Sequence, residues 1–158
     1  MRKLFYVIVL LLGASFVLSS CEKTENNDSP ESSIVGTWDC IEQVVVLEDG
    51  TSITYSDKRD WLDDENYIVL DYSIRFESDG LADSKVSYQD DFEGYGRYSI
   101  KDGILYVKGI PMCSMKVEGD RMVLSAKEGD GAQIAANIAY GMMGRKLVKG
   151  VVATYVRE

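Results

Sequence analysis

The clearest pattern in the chain is a strict alternation of apolar and mostly polar residues over positions 68–77. The apolar positions are Ile68, Leu70, Tyr72, Ile74 and Phe76. Side chains in a strand point alternately to opposite faces, so this period of two predicts a strand with one buried side. We therefore expect these five side chains to face a core.

Shorter apolar runs, separated by turn signals, extend the β pattern over the rest of the chain. Further strands are predicted at 34–47, 52–55, 81–88, 96–100, 104–108, 112–117, 121–126 and 146–157. Pairs of Asp and Gly lie between many of them, and such pairs tolerate the positive φ of tight hairpins. Strands at this spacing are typical of an antiparallel sandwich or barrel. The face assignment of the first strand is ambiguous, because Glu42 and Gln43 fall on opposite sides.

One segment, 131–143, departs from the β pattern. Ile134, Ile138 and Met142 recur there at helical spacing, with alanines between them. This predicts a short helix inserted before the last strand. We expect its apolar residues to pack on the core or to close one end of a barrel. A lid or a membrane-contacting helix is less favoured, the latter because the segment lacks a basic polar face.

The first 33 residues are organised differently from the rest. Arg2 and Lys3 precede an apolar run, 4–12, and the pattern over 1–20 is that of a secretory signal, too short for a typical spanning helix. The twelve residues 22–33 include no apolar side chain and predict a flexible spacer with a reach of roughly 20 Å. Residues 34–158 remain, enough for one domain with one core.

The end of this signal, Leu18-Ser19-Ser20-Cys21, resembles the signal of bacterial lipoproteins, in which an aliphatic residue and two small residues precede a cysteine. The resemblance implies that Cys21 is lipidated and becomes the first mature residue, so that a membrane holds the chain through a lipid. The alternative is an uncleaved signal helix. Glu22, in place of Asp, favours the outer membrane by the same resemblance. The acidic residues that follow also resemble signals for export to the cell surface.

Composition narrows the classes of function. The chain of 158 residues has 17 Lys and Arg against 26 Asp and Glu, a formal charge of −9 that becomes −11 once the two basic residues of 1–20 are removed. Such an acidic surface repels nucleic acid, which we exclude as a partner. Histidine is absent from the sequence, which excludes Ser-His-Asp and Cys-His catalysis and zinc sites that use histidine.

The remaining candidates for chemistry are acidic groups and two cysteines. The acidic groups at 63–65, 90–93 and 128–130 lack calcium-loop spacing and are typical of solvated loops. Because no nucleophile and base stand out, we expect no enzymatic activity, no metal site and no cofactor. Cys40 and Cys113 would lie outside the reducing cytosol, so either a disulfide or two buried thiols is consistent with the sequence.

Four motifs in order along residues 34–158 carry a second resemblance. They are Gly36-Thr37-Trp38, the segment from Phe76 to Gly80, Gly96-Arg97-Tyr98-Ser99-Ile100, and Tyr155-Val156-Arg157. Their order and spacing resemble the small lipocalin-like domains of bacterial lipoproteins. The resemblance implies an all-β, closed, eight-stranded antiparallel barrel in which Arg157 stacks on Trp38 and seals one end. The segment 127–145 is longer than the hairpin that this family has at the same place.

Two functions are compatible with this organisation. In the first, a lipid-anchored protein of the cell envelope holds a small apolar or amphipathic ligand in its barrel. The side chains expected to line that cup are Tyr72, Phe76, Tyr98, Tyr106 and Met115. In the second, the barrel is filled by its own side chains and serves as a structural module or as a surface module for an unidentified protein partner. A deep apolar cavity would favour the first and a filled interior the second.

Overall fold

The computed structural model of the protein describes residues 33–56, 73–85, 90–142, 144 and 146–158. Several predicted features lie outside these residues: the signal 1–20, Cys21, nearly all of the spacer, the acidic group 63–65, and the first half of the strand predicted at 68–77 together with Tyr72.

The described residues form nine strands and one helix. The strands are β1 (Gly36–Leu47), β2 (Ser52–Tyr55), β3 (Ser73–Phe76), β4 (Leu81–Lys85), β5 (Glu93–Lys101), β6 (Ile104–Val107), β7 (Ile110–Glu118), β8 (Arg121–Lys127) and β9 (Val148–Arg157), and the helix is α1 (Gly131–Met142). Every strand pair is antiparallel, and β9 pairs with β1 as well as with β8. Eight strands, β1 and β3–β9, therefore close into a barrel, which confirms the predicted fold class. Closure leaves these eight strands without open edges.

The first strand is long enough to pair with three other strands. One edge pairs along its length with β9, from Trp38 opposite Arg157 to Leu47 opposite Val148. The other edge is shared, with β3 beside the first residues of β1 and β2 beside the last. As a result, β2 and β3 run in the same direction along one edge of β1.

An irregularity in β1 explains why its faces were ambiguous in the sequence. The register with β9 shifts between Cys40 and Glu42. Trp38 and Cys40 are buried before the shift, and Gln43 and Val45 are buried after it. A bulge changes the parity of a strand, so both sets of residues can face the same interior. No single alternation could describe this strand.

Local geometry explains why the Gly-x-Tyr motif begins with glycine. Gly96 lies where the register between β4 and β5 shifts, and its φ is +129°. A Cβ added there would lie 2.5 Å from Cε of Lys108, whose side chain crosses the strand at this point. Only glycine combines this backbone conformation with such a close approach.

The predicted helix is confirmed, but its orientation differs from the expectation. α1 packs against β7, β8 and β9 through Ala132, Gln133 and Ala136, whereas Ile134 and Ile138 point outward and are exposed. Alanine lets the helix backbone approach the barrel closely. The helix is also held by polar bonds, because Gln133 Nε2 donates to the Val148 carbonyl at 2.6 Å. No helix in the described ranges is long and apolar enough to cross a membrane.

Candidate functional site

At one end of the barrel, hereafter the Trp38 end, the structure brings together the two residues that the sequence pairs. The guanidinium carbon of Arg157 lies 4.5 Å from the centre of the Trp38 ring. Trp38 is fully buried, and its Nε1 donates a hydrogen bond to the Ile34 carbonyl at 2.7 Å. A cation over an indole face is attracted by the ring quadrupole, typically by about 0.5–2 kcal/mol.

The same arginine holds the residues that precede β1. Its Nη1 donates to the Val35 carbonyl at 2.9 Å, and its Nη2 donates to the carbonyl of Ser33. Between these two positions, Ile34 is buried in the core. The segment that would join the spacer to the barrel is therefore fixed across the Trp38 end.

Only some of the residues predicted to line a cup lie on one surface. Phe76 and Tyr98 meet edge to face, with ring centres 4.9 Å apart, and Met115 opposes the buried Leu124. Tyr106 does not join them. It alternates with Leu105 and Val107, which are buried, so its side chain lies on the outer face of β6. The expectation for Tyr106 was therefore wrong, and Tyr72 lies outside the described residues.

A small cavity lies inside the barrel. It measures about 20 Å³ and lies among interior side chains, with room for roughly one water molecule. Its lining comprises Ile74, Tyr95, Leu105, Met112, Cys113, Leu124, Ala132 and Tyr155. Sites for small molecules typically measure about 300–1,000 Å³. This cavity, lined by described residues, is therefore too small for such a ligand.

The two cysteines of the domain are buried thiols, and no disulfide joins them. Cys40 lies in β1 and Cys113 in β7, and β8 and β9 separate these strands in the sheet. The structure has the second alternative, two buried thiols without a disulfide.

The buried thiol of Cys40 makes stability depend on pH. Burial raises the pKa of the Cys40 thiol from an ordinary 9.0 to about 12. The unfolded chain then releases this proton near pH 9, whereas the folded chain retains it to about pH 12. Above pH 9 the free energy of unfolding should therefore fall, with a contribution from Cys40 approaching about 1.4 kcal/mol per pH unit.

Urea unfolding of the wild type and of a Cys40→Ala variant, measured from pH 8 to pH 11, checks this expectation. All other side chains are the same in both proteins, so the difference between the two curves isolates the thiol. Equal slopes above pH 9 would contradict the assignment.

A second site lies at the opposite end of the barrel, hereafter the helix end, where β1 finishes and β9 begins. A groove of about 280 Å³ opens there between α1 and these strands. It is lined by Glu48, Glu128, Gln133, Asn137, Leu147, Val148 and Lys149. Its walls are held by backbone as well as side chains: the Glu48 amide donates to the Leu147 carbonyl at 2.8 Å, and the Val148 amide donates to Asn137 Oδ1.

Charges around the groove are unevenly compensated. Lys146 donates a hydrogen bond to Asp49, which holds the pKa of that carboxyl well below its usual range. Neither Glu48 nor Glu128 forms an ion pair with another described residue. The groove is lined by two carboxylates and one basic side chain, Lys149. Lys146, which is bonded to Asp49, also interacts electrostatically with Glu48, so that around the groove three carboxylates face two lysines among the described residues. Across the described ranges, no three Asp, Glu or Cys side chains are grouped so that they could hold a metal ion.

Sequence reasoning missed this groove because its residues are far apart in the chain. Glu128 belongs to an acidic group that the sequence assigns to a solvated loop, and Glu48 lies in an ordinary turn. Only the packing of α1 against β9 brings them to one surface.

The closed antiparallel barrel is compatible with a lipocalin-like fold. Comparisons with models of protein families, with curated proteins and with solved structures find no match for this chain.

Proposed function

We propose that this chain is a lipid-anchored lipoprotein of the bacterial cell envelope whose barrel is an interaction module. It binds its partner on the outer surface and not in the interior, and no catalytic step is part of its role. The observation that carries this choice is the small size of the cavity found among the core side chains, about 20 Å³, against the roughly 300 Å³ that a small-molecule site needs.

The position of the groove supports the same choice. The spacer ends at residue 33, which Arg157 holds at the Trp38 end. The groove lies at the other end of β1, next to Glu48. A barrel attached through residue 33 presents its helix end away from its attachment, where a partner can reach it.

A second candidate function is binding of a small apolar ligand inside the barrel. It is favoured by the inward side chains of β5 and β7, which are only partly buried although they contact the core; among them are Tyr95, Tyr98, Met112 and Met115. Tyrosine and methionine present apolar surface, and methionine adapts readily to different shapes.

The lipid anchor is tested by labelling the full chain with radioactive palmitate in a Gram-negative host. We expect label on the wild type in the membrane fraction, and no label on a Cys21→Ser variant. Cys40→Ala is the matched control, because it also removes one cysteine and should keep the label. Label that persists in Cys21→Ser would reject the anchor.

The choice between the two functions is tested by native mass spectrometry of the protein purified from its own cells. We expect the mass of the lipidated chain with no additional small molecule. An apolar molecule bound at one per chain would establish the second candidate instead.

A further inference from the structure

Exposed apolar side chains are concentrated at the helix end of the barrel. Of the six large apolar side chains that are exposed in the described residues, four lie there: Ile110 (55%), Ile134 (48%), Ile138 (43%) and Leu147 (48%). Single exposed apolar residues are common, but a group of them at one end of a domain marks a surface for binding.

These four side chains belong to elements that meet at α1. Ile134 and Ile138 are one helical turn apart on its outer face. At the start of the helix, a Cβ added to Gly131 would lie 3.3 Å from Ile110 Cγ2, so β7 and α1 touch there. On the other flank, Leu147 lines the groove beside Asn137, the residue before Ile138. The apolar surface therefore runs from β7 across the outer face of α1 to the groove.

Charge is distributed unequally over this surface. Residues 131–142 contain no charged side chain, although charged residues make up 27% of the chain. The charges are in the groove, where Glu48 and Glu128 outnumber Lys149. An excess of carboxylates over lysines at the edge of an apolar surface is suited to a cation that arrives attached to an apolar body.

Resting on the proposed function, we infer that this surface docks a polypeptide segment of a partner protein that presents a lysine or arginine next to aliphatic side chains. The basic side chain enters the groove and is bound by Glu48 and Glu128. The neighbouring aliphatic side chains cover Leu147, Ile134 and Ile138, which excludes water around the charged contact.

Charge also distinguishes this occupant from two others. A second copy of the chain, related by a two-fold axis through this surface, would bring the same carboxylates of the groove towards each other. A bilayer with anionic headgroups would be repelled by the acidic groove, and α1 has no basic residue with which to bind it.

The test uses the full chain in phosphatidylcholine nanodiscs and two fluorescent probe peptides of twelve residues, one with two arginines among leucine and serine and one with glutamate in place of arginine. We expect the arginine peptide to bind about tenfold more tightly than the glutamate peptide at 150 mM salt, as measured by fluorescence anisotropy with empty nanodiscs as blank.

A matched pair of double variants separates the effect of the groove carboxylates on peptide binding from the effect of the net charge of the protein. Glu48→Gln with Glu128→Gln should weaken binding of the arginine peptide about tenfold. Asp102→Asn with Glu118→Gln removes the same charge at the Trp38 end and should change it by less than about twofold, because salt screens charges that lie beyond roughly 8 Å. Ile134→Ser with Ile138→Ser should weaken it by about fivefold through the apolar contact.

Equal weakening by both charge variants, or equal binding of the two peptides, would overturn the inference and leave the proposed function standing. A dimer seen in sedimentation of the wild type and lost in Ile134→Ser with Ile138→Ser would assign the surface to a second copy. Binding of the Cys21→Ser protein to vesicles of anionic lipid that is lost when Ile134→Ser and Ile138→Ser are added would assign it to a bilayer. A small apolar molecule found by native mass spectrometry would reject the proposed function itself.

Discussion

Replacing Trp38 with alanine should lower the free energy of unfolding by about 3–5 kcal/mol. The side chain is fully buried, its Nε1 bonds the Ile34 carbonyl, and its ring lies under the Arg157 guanidinium. Alanine leaves a cavity and removes both contacts. Because domains are typically stable by about 5–15 kcal/mol, such a loss takes a large share of the total. Urea unfolding followed by far-ultraviolet circular dichroism measures it, since the substitution also removes a fluorophore.

Two milder variants divide this effect. Trp38→Phe keeps an aromatic ring but loses the indole hydrogen bond. Arg157→Lys keeps the charge but loses the planar group that stacks on the ring and bonds the Val35 carbonyl. Each should cost about 1–2 kcal/mol. If Trp38→Ala unfolded at the same urea concentration as the wild type, the sealed Trp38 end would be wrong.

Substituting the buried face of α1 should have a far larger effect than substituting its outer face. Ala136→Asp would place a carboxylate in the buried contact between α1 and the barrel, and we expect a loss of about 3–5 kcal/mol. Ile134 is nearly half exposed, so Ile134→Ser should change the free energy of unfolding by no more than about 0.5 kcal/mol. Both are measured by urea unfolding of the full chain in the same detergent.

If Ile134→Ser lowered the free energy of unfolding more than Ala136→Asp, the helix would have the orientation that the sequence alone favoured, with the isoleucines inward. Ala135→Asp is the control for the helix itself. It introduces the same side chain one position earlier, on the exposed side of α1, and should remain close to the wild type apart from the lower helix propensity of aspartate, about 0.7 kcal/mol or less.

How far the sequence predicts this molecule differs from element to element. The alternation that ends at Phe76 and the turn pairs of Asp and Gly predict strands, because period and turn conformation are local properties. The contact of Arg157 with Trp38 was predicted from a family resemblance, and the structure has it where the first and last strands meet. The bulge after Cys40 could not be predicted, since it is fixed by pairing with β9 and leaves no local pattern.

The helix illustrates a different limit. The spacing of Ile134 and Ile138 locates α1 correctly, since any amphipathic period reveals a helix. It does not say which side faces the barrel. Close packing favours the small Ala132 and Ala136 on the inner side, and the hydrogen bond from Gln133 to β9 supports that orientation. The groove could not be foreseen either, because Glu48, Glu128 and Lys149 meet only after the barrel has closed.

The attachment of residues 33–35 to Arg157 has a mechanical consequence. A pull transmitted through the amino-terminal segment would act along the axis of β1, and Arg157 would pass part of it directly to the last strand. In that geometry the hydrogen bonds between β1 and β9 are sheared together and do not open one after another. A domain held in this way would resist force where its first and last strands meet.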